Sequence, residues 1–113
     1  MAEYLLISSR DPFEYRDAEW FYDLAAELAA RNTVRLFLVG NGVLIGRDRI
    51  ANGPSRKFRR LVGLNGNVQV GADNFSLRER GIEPAELVPG IKVVGVDSLV
   101  DTLMERTDKV LWH

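Results

Sequence analysis

The chain has 113 residues, 46% of them hydrophobic and 27% charged, with a formal net charge of −1. That size and composition predict one globular domain, residues 1–113, able to bury a core without staples, and they exclude a disordered chain. There is no cysteine, which excludes disulfides, thiolate metal sites and a cysteine nucleophile.

The N-terminus lacks the basic start, apolar run and small-residue cleavage site of a signal peptide. The runs Val34–Gly42 and Ile91–Val96 are too short to span a bilayer. The expectation is a cytoplasmic protein with no membrane contact. Charge is unevenly spread: seven acids and three bases in residues 1–33, one and seven in 34–72, eight and five in 73–113. A basic middle between acidic ends suits an anion, a nucleic acid or complementary patches between subunits.

In chain order, Tyr4–Ser8 reads as a buried strand, broken by Ser9-Arg10-Asp11-Pro12. Asp17 stands where it can cap a helix, and Phe21, Leu24, Ala25 and Leu28 form that helix's core face. Glu19, Asp23 and Glu27 make an acidic stripe elsewhere on it, and Asn32 is a stop. Trp20, Phe21 and Tyr22 cannot all face one core, because neighbours on a helix lie about 100° apart. Phe21 fits the core stripe, so Trp20 or Tyr22 is expected to be partly exposed.

Val34–Val39 is the second strand, ended by Gly40-Asn41-Gly42. Residues 43–57 read as a loop, with Ser55 capping a short helix that turns Phe58, Leu61 and Val62 inward. Asn67–Gly71 is the third strand, and Asp73 or Asn74 caps a short helix through Arg80, with Gly81 following it. Pro84 opens another helical turn. Ile91–Val96 is the fourth strand, and Asp97 or Ser98 caps a helix with Leu99, Val100, Leu103 and Met104 inward. Lys109–Trp112 is the last strand. Strands alternating with helices over short connections predict an α/β fold, a five-stranded, mainly parallel sheet covered on both faces.

In such sheets ligands bind beyond the carboxyl ends of the strands. The candidate binding residues are therefore Ser8, Ser9 and Arg10 after the first strand, Asn41 after the second, and Asp73, Asn74 and Ser76 after the third. Arg78 and Arg80 read either as anion ligands or as a solvated helix face. The single histidine, His113, is the last residue, where fraying would spoil a Ser-His-Asp triad. No metal-ligand spacing, Walker loop or dinucleotide fingerprint is present. No catalytic residue, metal or cofactor is therefore assigned. Arg47, Arg49, Arg56, Lys57, Arg59 and Arg60 form a basic segment with Phe58 as the one interleaved aromatic. It suits a flap over an anion, a subunit contact or a solvated loop better than a nucleic-acid backbone.

The stretch Val70–Ile82, VGADNFSLRERGI, resembles the DsrE/DsrF/DsrH-like (Tus-type) sulfur-relay family, whose pattern here is of the form V-x-A-C-x-x-S-L-R-x-R-G-I. The opening YLLIS, the segment Leu36–Leu44 and the tail Leu87–Trp112 are similar to the family as well. The resemblance implies a three-layer α/β/α fold and homo- or hetero-oligomers, whether dimers, trimers or hexamers. It also implies a partner such as a sulfur-carrier protein or a cysteine-bearing sibling. In active members the motif cysteine carries a persulfide, and a helix start favours the thiolate this needs. Asp73 occupies that position here. The expectation is a non-catalytic partner or binding subunit linked to sulfur metabolism. The alternatives are a sensor of small anions at residues 73–76 and an enzyme using the strand-end polar residues.

Overall fold

The computed structural model describes residues 2–14, 17–48, 53–64, 66–105 and 107–113. Five strands are joined by four α-helices: β1 (Glu3–Ser8), α1 (Ala18–Ala29), β2 (Thr33–Leu38), α2 (Gly53–Val62), β3 (Val68–Asp73), α3 (Asn74–Glu79), β4 (Ile91–Val94), α4 (Val96–Glu105) and β5 (Lys109–Trp112). Turns of 3₁₀ helix cover Gly40–Gly46 and Pro84–Glu86. All strand pairs are parallel, in the order β4-β3-β2-β1-β5.

The order explains the layering. From β1 to β4 each strand is laid down on the same side of the last, so right-handed crossovers put α1, α2 and α3 on one face. The step from β4 to β5 runs back across the sheet, which puts α4 on the other face. Side chains alternate accordingly. Leu6, Val34, Leu36, Leu38, Val68, Val70 and Ala72 meet Phe21, Tyr22, Ala25, Phe58, Leu61 and Leu77 in the main core. Leu5, Ile7 and Phe37 form a smaller cluster on the far face, with Val39, Val94 and Leu99 packed against it.

Several local expectations are corrected. β3 runs two residues further than the Asn67–Gly71 reading, so Asp73 ends the strand and caps α3 at once. β4 stops at Val94, and α4 begins at Val96 rather than after a cap at Asp97 or Ser98. Gly53-Pro54 opens α2 ahead of Ser55, as proline at a first helical turn allows. The segment read as loop contains ordered 3₁₀ helix, and its end joins residues 86–88 through Asp48 N–H to the Glu86 carbonyl (2.8 Å) and Val88 N–H to the Gly46 carbonyl (2.8 Å). Arg49 lies outside the described residues. Tyr22 is buried and Trp20 exposed, which settles the aromatic triplet. The largest departure is α4: no residue of it is buried, and Val100, Leu103 and Met104 are exposed rather than inward.

The basic segment is drawn into the molecule's own charges. Lys57 Nζ lies 2.6 Å from Asp23 Oδ2 on the acidic stripe of α1, Arg59 pairs with Asp48 at 3.0 Å, and Arg47 with Glu86 at 3.4 Å. These exposed or half-exposed pairs contribute little stability each. They do neutralise three cations of the segment.

Candidate functional site

Two polar corners stand at the carboxyl ends of the strands. At the first, Asp73 leaves β3 in an extended conformation and its Oδ2 accepts the Ser76 backbone N–H (3.0 Å) and the Ser76 hydroxyl (2.7 Å). Ser76 Oγ points its hydrogen at Asp73, which leaves a lone pair to accept the Gly40 N–H at 2.9 Å. Both side chains are buried. Arg80 closes the corner: Nη1 donates to the Ser76 carbonyl (3.0 Å), while Nε and Nη2 donate to Asn41 Oδ1 (3.1 and 2.9 Å). Asn74 points elsewhere and lines a cavity of about 110 Å³ with Arg78 and Glu83.

The second corner gathers around the end of β1. The Ser8 carbonyl accepts the Val39 N–H at 3.0 Å, and Ser8 is buried. Gly42 packs directly on that carbonyl, where any Cβ would overlap it. The 3₁₀ segment Gly40–Gly46 thus touches both corners through its first three residues. Ser9 Oγ donates to the His113 carbonyl (3.2 Å) and accepts the Trp112 indole N–H (2.9 Å). Arg10 is exposed at this end.

His113 is held, contrary to the fraying expected of it. Its N–H donates to the Ile7 carbonyl at 2.8 Å, and its carbonyl accepts the Ser9 N–H at 2.9 Å. Its ring stacks on Phe21 at 5.0 Å, and Nε2 lies 2.9 Å from Asp17 Oδ1. The imidazole holds the Asp17 carboxyl below its ordinary value, with the Arg10 charge a smaller contribution. Asp17 therefore pairs with His113 and makes no side-chain cap for α1. The hydrogen bonds of Ser9 Oγ go to a carbonyl and an indole, so no Ser-His-Asp relay is built. Tyr22 is buried beside Ser8, and burial pushes its phenol up; the Ser8 hydroxyl opposes that rise and the Asp11 charge adds to it.

The model of the DsrE/DsrF-like family matches residues 2–112. This chain belongs to that family. Its fold is similar to the crystal structure of the ychN protein from E. coli, with a TM-score of 0.85 at 21% identity over 100% of both chains. It is also similar to MTH1491 from Methanobacterium thermoautotrophicum, described as a protein of unknown function, with a TM-score of 0.69 at 23% identity over 98% of this chain and 97% of that one. No curated protein matches the sequence.

Within the DsrE-like fold, Asn41, Asp73 and Ser76 come together in one corner, Ser8 and Ser9 in the other, and Asn74 in neither. The sequence left Arg80 between anion ligand and solvated face; in the structure it ties α3 to the exit of β2. The signal for that was its spacing four residues after Ser76, one helical turn. His113 and Asp17 lie 96 residues apart in the chain (113 − 17), so nothing local announced their pairing. Among the described residues no group of three or more histidine, aspartate or glutamate side chains could hold a metal ion. No helix of the described residues is long and apolar enough to cross a membrane.

Proposed function

We propose that this chain is a cytoplasmic, non-catalytic DsrE-like subunit that lends binding surface to a sulfur-relay assembly and carries no sulfur itself. Its partners in this reading are further subunits of its own fold, a cysteine-bearing sibling or a sulfur-carrier protein. One observation carries it. The residue at the motif's thiol position, Asp73, spends its Oδ2 on two hydrogen bonds that hold Ser76, within a buried network reaching Gly40. A carboxylate there accepts the N–H groups a thiolate would accept, but it cannot form an S–S bond. The scaffold of the site is kept while its sulfur chemistry is gone.

The commitment of Ser76 N–H and Oγ to Asp73 also weighs against an anion sensor at residues 73–76, since an incoming anion would meet a carboxylate already bonded to the donors it needs. The test is intact mass after exposure to inorganic polysulfide. Wild type should gain nothing. Asp73→Cys should gain one sulfane sulfur per chain, as the thiolate attacks a terminal sulfur and a shorter polysulfide leaves. A folded Asp73→Cys that stays unmodified would defeat the assignment of residue 73 to a thiol site.

A further inference from the structure

Among the described residues, α4 stands alone on its face of the sheet. Five strands span about 20 Å between their outer axes, roughly twice the 10–12 Å width of a helix. Part of that face is therefore bare beside α4. Over β2, β3 and β4 the bare part is a groove of about 390 Å³, the size of a small-molecule site. None of its lining residues belongs to the network of Asp73, Ser76 and Arg80.

The groove's charges divide by element. Its cations come from the floor, Arg35 on β2 and Lys92 on β4, which share a sheet face because the register pairs Arg35 with Gln69 and Gly71 with Lys92. Its carboxylates come from the wall, Asp101 and Glu105 of α4. α4 runs back against the parallel strands, so its last turns, which carry both acids, lie over the strand halves that carry the cations. Yet the two sets do not close on each other. Arg35 pairs with Glu3 instead, at 3.2 Å. Lys92, Asp101 and Glu105 form no ion pair among the described residues. Asp101 and Glu105 are four residues apart, where like charges on a helix repel, and a cation between them removes that repulsion. Between floor and wall the groove is apolar. Gly71 carries no side chain there, and a Cβ on it would lie 3.1 Å from Val94 and 3.7 Å from Phe37.

We propose that this groove binds an α-amino acid with an apolar side chain. Opposite charges that line one groove and stay apart leave a gap that a dipolar molecule fills by meeting both at once. The ligand's carboxylate meets Lys92, with the positive charge of Arg35 adding to the attraction. Its ammonium lies between Asp101 and Glu105. Its side chain rests on Gly71 between Phe37 and Val94. A nucleic-acid backbone is the wrong occupant, because the acidic wall repels phosphate. A simple inorganic ion satisfies one side of the groove and leaves the other unpaired.

The proposal goes beyond the reading of Asp73 and is tested separately from it, by titrating the isotope-labelled protein with L-leucine and L-phenylalanine and following its amide resonances. Wild type should show saturable shifts at Gly71, Lys92 and Asp101, half-complete near about 1 mM. Two leucine analogues separate the charges: 4-methylpentanoate lacks the ammonium, and isopentylamine lacks the carboxylate. Each should bind about fivefold more weakly than leucine. Lys92→Ala should weaken leucine by the same factor and leave isopentylamine as it is. Asp101→Asn combined with Glu105→Gln should weaken leucine likewise and should not weaken 4-methylpentanoate. All three side chains are exposed, so the variants should keep the wild-type circular dichroism spectrum. No saturable shift by about 10 mM, shifts confined to other residues, or equal binding of leucine and both analogues would overturn the proposal. So would folded variants that bind leucine as wild type does. None of these outcomes touches the polysulfide result at residue 73.

Discussion

Removing the Asp73 carboxylate should destabilise the protein far more than removing an ordinary helix cap. Asp73→Ala deletes an acceptor of two hydrogen bonds, to Ser76 N–H at 3.0 Å and Ser76 Oγ at 2.7 Å, in a site where both residues are buried. Loss of a cap alone costs about 1 kcal/mol. A buried hydroxyl left without its charged acceptor adds about 1.5–3 kcal/mol. Ser76 Oγ can turn to another role, since it still accepts from Gly40 N–H, so the expected total is about 2–3 kcal/mol. Urea unfolding of wild type, Asp73→Ala, Ser76→Ala and the double variant measures it. Because the two residues form one network, the double variant should lose about 1 kcal/mol less than the sum of the singles. Asp73→Asn keeps an acceptor oxygen and should lose less than Asp73→Ala. A loss under about 0.5 kcal/mol, or strict additivity, would refute the network and leave Asp73 with no structural task.

Three further outcomes are expected. Gly42→Ala forces a Cβ into the Ser8 carbonyl, and chemical denaturation should show a loss of about 2 kcal/mol or more, as overpacked backbone contacts do. Asp17 has its pKa lowered by His113, so its contribution is present above the ordinary carboxylate value and lost as pH falls through the lowered one. The stability difference between wild type and Asp17→Asn should therefore exist near pH 5 and vanish as pH falls through that lowered value; a difference that persists in strong acid would contradict the pairing. Tyr22 has its pKa raised by burial. Below about pH 10 both states keep the proton, and above it only the unfolded chain releases one, so stability falls with rising pH. Tyr22→Phe should flatten that alkaline decline in thermal melts.

The strand and helix order was legible because apolar runs and turn residues alternate cleanly. Short connections then left a parallel sheet as the simple solution. The motif around Asp73 was legible too, since strand end, cap and helix follow within a few residues. What escaped was everything set by distant partners. His113 is fixed by Ile7, Ser9, Phe21 and Asp17, none of them near it in the chain. Apolar spacing on α4 identified a stripe correctly, yet periodicity says only that a face is apolar, not which surface covers it. Val100, Leu103 and Met104 read as core for that reason and stand exposed on the single chain. Arg80 shows the same limit in polar form: its charge was visible and its partners Asn41 and Ser76 were not.

The central claim is that residue 73 sits in a setting made for a thiolate and now holds a carboxylate that only builds structure. The most direct measurement is the pH dependence of alkylation of the single thiol in Asp73→Cys. With the Ser76 N–H and hydroxyl available as donors, the midpoint should fall below the free-cysteine value of about 8.5. A midpoint at or above that value, in a folded variant, would contradict the account.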